Sequence, residues 1–166
     1  MTFHGPGQLA LYPIVDLSRF RRNLHWYAAA LQQILLATAS SLGLRNACID
    51  CRSELGLWIP PNRKLAFIGF YNQRWITSHG LSLNVKESSN KGFKHIVPCG
   101  LTDISVTTVE HELGYERRYI MEEAASTMIN AVERVLECKL VAIGKEDSKS
   151  FGLDFSDKCI ILPQGE

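Results

Sequence analysis

The stretch 96-IVPCGL-101 sets a cysteine between a proline and a glycine, neighbours that suit a reactive thiol. Pro98 has no amide hydrogen and fixes the approach of the chain, and Gly100 lets the backbone come close to a ligand. Backbone N–H groups at such a turn can receive an oxyanion. Cys99 still needs help, because an unperturbed thiol with a pKa of about 8.5 is only a few per cent ionised near neutrality. A buried, inert cysteine is the competing reading, since cysteine is among the most buried residue types.

Lys64, His79 and His95 are the candidate helpers. Lys64 opens the apolar run 64-KLAFIG-69, where desolvation can turn a lysine into a general base, although a strand-end lysine can equally reach water. His79, in SHGLSLN, is either a helper or a hydrogen-bonded core histidine, and His95 is near Cys99 by sequence position only. Spacing does not choose among them. His4 lies in TFHGPGQ, whose glycines could wrap a ligand or simply turn into the next strand. That loop lacks the Gly-Lys-Ser/Thr of a phosphate-binding loop and the spacing of a dinucleotide fingerprint.

Other polar clusters carry less. Cys48 and Cys51 form a CxxC, but no second pair completes a four-ligand zinc site, and in a strand positions i and i+3 point to opposite faces. PCGL lacks the second cysteine of a deaminase signature, so His111 with Glu112 gains nothing from it. Glu122 and Glu123 read as a solvated first helical turn favoured by the helix dipole.

The elements that must position these residues follow from periodicity. A strand-like run 8-QLALYPIVDL-17 leads through the basic turn 18-SRFRR-22 into a helix over about 23–42, with Trp26, Ala30, Ile34, Ala37 and Leu42 near helical spacing and Gly43 as its cap. Short β-like runs at 47–50, 55–59 and 64–71 follow, the last two joined as a hairpin through 60-PPNR-63. Residues 75–85 form another extended run before the polar loop 86–92. The segment 105–114 is ambiguous, and 119–137 has the pattern of an amphipathic helix. The tail 145–166 reads as loosely held, with 159-CIILP-163 docking as a last strand.

Composition sets the bounds. A chain of 166 residues, 46% apolar and 21% charged, is expected to form one domain over 1–166 with its own core. A formal net charge of +1 gives no footprint for nucleic acid or an anionic membrane surface. The most apolar helical stretch, 24–44, contains His25, Gln32 and Gln33 and reads as a core helix rather than a membrane span. Five scattered cysteines favour a reducing compartment, and MTFHGPGQ carries no legible targeting signal.

Taken in order, TFHGPGQLALYPIVDL, RKLAFIG, ITSHGLSLNV and HIVPCGL resemble the lipoyl(octanoyl) transferase family, with wording most like its animal mitochondrial members. The resemblance covers about residues 2–115. It implies an α+β fold of the biotinyl/lipoyl protein ligase catalytic-domain kind, a mixed β-sheet flanked by helices. It also implies a two-step transfer needing no cofactor. The cysteine takes octanoyl from octanoyl-acyl carrier protein as a thioester, then passes it to a lysine of a lipoyl-accepting domain, such as glycine cleavage H protein or a 2-oxoacid dehydrogenase E2 subunit. Cys99 matches the nucleophile and Lys64 the lysine that activates it. Acyl and product contacts map onto Thr2, Phe3 and His4, onto Phe67, Ile68 and Gly69, and onto Gly80, Leu81 and Ser82. A mitochondrial location is implied, the cytoplasm being the alternative.

Two departures accompany the resemblance. The family's Arg-Gly-Gly loop and the segment around it precede the point where this sequence starts, which implies an N-terminally truncated domain. Phe67 stands where the family usually places a small residue beside the acyl chain. An alternative function is therefore a non-catalytic remnant that only binds the lipoyl domain or the acyl carrier protein, and a thiol hydrolase is a third.

Overall fold

The computed structural model describes residues 4–49, 55–90, 104–143 and 160–163, with the backbone alone for 142–143 and 160–163. Strands β1 (Gln8–Leu11), β2 (Gly56–Ile59), β3 (Arg63–Gln73) and β4 (Ile76–Asn84) form an antiparallel sheet in the order β1-β4-β3-β2. Strand β5 (Ser105–Val106) adds to β3 in parallel, which makes the sheet mixed. Helices α1 (Leu24–Ser41), α2 (Val109–Leu113) and α3 (Ile120–Leu136) complete it, and β6 (Leu140–Ile143) pairs separately with β7 (Ile160–Pro163). This is the α+β architecture expected.

Alternation explains the layers. Leu9 and Leu11 on β1, Ala66, Ile68 and Phe70 on β3, and Leu81 and Leu83 on β4 share one face and pack into the core with α1. On α1 the matching stripe is Tyr27, Ala30, Leu31, Ile34, Leu35, Thr38 and Ala39, all buried. Asn23 caps it by accepting from Trp26 N at 3.0 Å, and Gly43, with φ +105°, takes the left-handed conformation after its last turn. Helix α3 packs against α1 through Ile120, Ala124, Met128, Ala131, Val132 and Leu136. No described helix is long and apolar enough to cross a membrane.

Three local outcomes differ from the pattern reading. The run 8–17 keeps its register as far as the bridge between Asp16 and Ile76, but Pro13 has no N–H to donate, so the regular strand stops at Leu11. Thr77 bridges the gap, accepting from Val15 N at 2.9 Å and donating to Pro13 O at 3.0 Å. Of the β-like run at 47–50, the described residues 47–49 contribute only the bridge between Cys48 and Trp58. The ambiguous segment 105–114 splits into β5 and α2, because Thr108 caps His111 N at 3.1 Å and Gly114, at φ +74°, ends the turn. Within the tail, β7 docks on β6 as expected of 159–163, and the rest of 145–166 lies outside the described residues.

Ile34 is fully buried, so Ile34→Ala should lower stability by about 2–5 kcal/mol in urea unfolding. Ile14, 77% exposed, should change it by less than about 0.5 kcal/mol when replaced by Ala.

Candidate active site

Strict alternation along β3 would send Lys64 to the same face as Ala66, into the helix layer. A register shift against β2 prevents this: Leu57 pairs with Ala66 and Trp58 with Lys64, so Leu65 is the extra residue of a bulge. Leu65 stays in the core at 0% exposure, and Lys64 turns to the opposite face with Trp58 and Phe67. Its Nζ lies 4.9 Å from the Trp58 ring centroid and 5.0 Å from that of Phe67, while the residue is only 2% exposed. Two ring faces attract an ammonium by about 0.5–2 kcal/mol each, and they fix where the group stands.

Gly56 makes room for this arrangement. It pairs with Phe67 at φ +156°, and a Cβ there would strike Ala66 O and come within 3.0 Å of Lys64 Cε. The lysine stem passes over the one residue type that leaves it space.

On the other edge of β3, Lys64 pairs with Val106 of β5, and Thr107 N donates to Lys64 O at 3.0 Å. The Thr107 hydroxyl donates to Glu112, whose other oxygen takes Arg63 at 3.2 Å. Upstream, Glu110 accepts from Glu87 N at 3.1 Å and His111 faces Glu87 at 3.4 Å. The residues on both sides of segment 91–103 are thus tied down beside the start of β3.

The face that carries Lys64 also carries Phe67 and Gly69 from β3, Gly80, Ser82 and Asn84 from β4, and Gln8 and Ala10 from β1. Gly80 lets β1 approach, since a Cβ there would strike Leu11 O and Pro13 Cδ. Of the residues expected to contact substrate, Phe67, Gly69, Gly80 and Ser82 therefore share this face with Lys64, Phe67 against its amine and the Gly69–Gly80 pair farther along the strand. Ile68 and Leu81, paired in register, direct their side chains to the helix layer and offer this face only backbone. His4 is exposed and reaches the same sheet through Gln8, bonding Gln8 Oε1 at 2.8 Å. Thr2, Phe3, Cys99 and His95 lie outside the described residues.

His79 stands opposite Phe70, six residues along β3 from Lys64, a distance of roughly 20 Å. The structure separates those two helper candidates. Cys138 is half-buried near Glu133, and both the partial desolvation and the carboxylate push its thiol up, away from ionisation. Among the described residues no group of three His, Cys, Asp or Glu could hold a metal ion. Pattern reading passed over Gly56, Trp58, Gln8 and Asn84; the run GLWI directly before PPNR is the signal for the first two, because a hairpin must lay them against 64–67.

The family model of the lipoyl protein ligase A/B catalytic domain matches residues 1–133. The chain belongs to that family. It is 35% identical over 144 residues to the mitochondrial octanoyl-[acyl-carrier-protein]:protein N-octanoyltransferase of Danio rerio, covering 87% of this chain and 61% of that one. It is 43% identical over 116 residues to an octanoyltransferase of Geobacter sp. (strain M21), covering 70% of this chain and 55% of that one. The chain thus spans less than two thirds of the length of these relatives. Among solved structures, biotin protein ligase from Aquifex aeolicus matches with a TM-score of 0.55 at 15% identity, over 88% of this chain and 56% of that one. That likeness establishes the fold, the ligase catalytic-domain architecture.

A methyl group at Gly56 should dislodge the Lys64 stem and strain the β2–β3 pair. Gly56→Ala is expected to cost about 1–3 kcal/mol in thermal or urea unfolding, a loss that Gly69→Ala, with nothing within 4 Å of its Cβ position, should not reproduce.

Proposed function

We propose that this chain carries the catalytic centre of an octanoyltransferase. Cys99 takes an octanoyl group from octanoyl-acyl carrier protein as a thioester and hands it to the ε-amine of a lysine on a lipoyl-accepting domain, in mitochondria as in the animal relatives. Lys64 activates the thiol. The observation that carries this reading is the bulge that turns Lys64, a residue only 2% exposed, out of the helix layer and onto the opposite face of the sheet, against Trp58 and Phe67.

Chain connectivity supports the pairing. Cys99 precedes Ser105 by six residues, and such a length spans at most about 21 Å, while Ser105 itself is paired with Arg63 next to Lys64. A thioester intermediate conserves the activation already present in the carrier thioester, so neither nucleotide nor metal enters the chemistry. Amide groups near Gly100 are the proposed donors to the tetrahedral oxyanion. Phe67, set against Lys64, forms part of the wall beside the acyl chain.

The test is an intact-protein mass spectrum after incubation with octanoyl-acyl carrier protein, followed by addition of a lipoyl-accepting domain. A single octanoyl adduct is expected on the chain, absent in Cys99→Ala and retained in Cys48→Ser and Cys51→Ser. Label then appears on the acceptor lysine. Label that stays in the carrier points to a binding remnant, and label released as free octanoate points to a hydrolase.

Lys64→Arg keeps the charge but cannot give up a proton, so it should slow capture by about 10²-fold or more if the amine works as a base. Capture at the full rate in that variant would leave Lys64 only the role of a placed cation.

A further inference from the structure

A directed hydrogen-bond chain crosses the sheet from the backbone beside Lys64 to His4, and its direction follows from donor and acceptor chemistry alone. It starts at Thr107 O, a carbonyl that can only accept. Asn84, fully buried, donates to it from Nδ2 at 3.2 Å, which leaves Asn84 Oδ1 as an acceptor. Gln8 Nε2 donates to that oxygen at 2.8 Å, so Gln8 Oε1 must accept, and its partner at 2.8 Å is His4 Nδ1. His4 Nδ1 therefore carries a proton. The remaining ring nitrogen, Nε2, faces the Tyr12 hydroxyl at 3.0 Å.

This arrangement admits two states of the ring and excludes a third. Neutral His4 with its proton on Nδ1 offers an Nε2 lone pair, to which Tyr12 donates. Protonated His4 keeps the Nδ1 bond and donates from Nε2 to the same phenolic oxygen. The neutral tautomer with its proton on Nε2 would set two acceptors against each other at Gln8 Oε1. The ring can thus gain and lose a proton at Nε2 with no rearrangement behind it, which is the requirement for a general base. Gln8 lies two strand spacings, roughly 10 Å, from the level of Lys64, on the same face of the sheet.

We propose that His4 Nε2 is the proton acceptor for the incoming lysine amine in the second half-reaction, with Gln8 and Asn84 as positioning residues. The assignment rests on the octanoyltransfer reading. The acceptor lysine arrives as an ammonium, displaces the Tyr12 hydroxyl and gives one proton to His4 Nε2. The free amine then attacks the thioester carbonyl: the C–N bond forms, the C–S bond breaks, and the electron pair leaves with Cys99 sulfur. The second amine proton returns to that sulfur, giving amide, thiol and an imidazolium that releases its proton to water from an exposed site.

Two measurements on the full chain test this. In ¹⁵N-labelled protein, long-range ¹H–¹⁵N spectra of the neutral His4 ring should show the Nδ1-protonated tautomer in the wild type and a mixture in Gln8→Leu. An Nε2-protonated ring in the wild type overturns the relay whether or not the chain transfers acyl groups. In single-turnover experiments the octanoyl adduct is formed first and then mixed with the acceptor domain. His4→Ala should slow transfer at least 30-fold more than it slows capture, and Gln8→Leu should give an intermediate loss. Equal slowing of the two steps, or transfer by His4→Ala at the wild-type rate, removes the base assignment. Absence of any adduct in the wild type overturns the octanoyltransfer reading and with it the base role, while the tautomer result still stands by itself.

Discussion

The site depends on one irregularity in hydrogen bonding, the bulge that places Leu65 between two ladder positions of the β2–β3 pair. Without it, an antiparallel ladder would alternate strictly and bury the Lys64 ammonium among the leucines of α1, where an unpaired charge is very costly. With it, Leu65 and Ala66 both serve the core, and Lys64 leaves on the other side between two aromatic rings. The position of Gly56 follows from the same constraint, since the redirected stem runs across the backbone of β2.

The proposed transfer adds a second requirement, that the ends of the segment holding Cys99 stay close to this lysine. Parallel pairing of β5 with Arg63 and Lys64 achieves that on one side, and the buried Glu110 with Glu87 on the other. Glu112 and Arg63 join the two, each neutralising a charge that would otherwise be left half-buried beside the lysine. The hydrogen bonds of Asn84 and Gln8 extend the same polar seam across β4 to β1, so the start of the chain and the start of β3 share one organised face.

Much of the fold was legible in the sequence, for identifiable reasons. Alternation of apolar residues marked β3 and β4, the spacing of Trp26, Ala30, Ile34, Ala37 and Leu42 supported α1, and the prolines of 60-PPNR-63 marked the hairpin. Lys64 stood out as a charged residue opening an apolar run, and its membership in the RKLAFIG motif carried the family resemblance that the family match bears out. His79 stood out equally, and nothing local distinguished the two.

By itself, then, the sequence determined the elements, the apolar face of each and the short set of residues able to do chemistry, because these depend on side-chain type and on a local period. Tertiary structure alone decided which of them share a face. The bulge that turns Lys64 outward, the register that puts Gln8 beside Asn84 and sends Ile68 and Leu81 to the helices, and the roughly 20 Å between Lys64 and His79 are set by strand pairing between residues far apart in the chain, for which no local pattern codes.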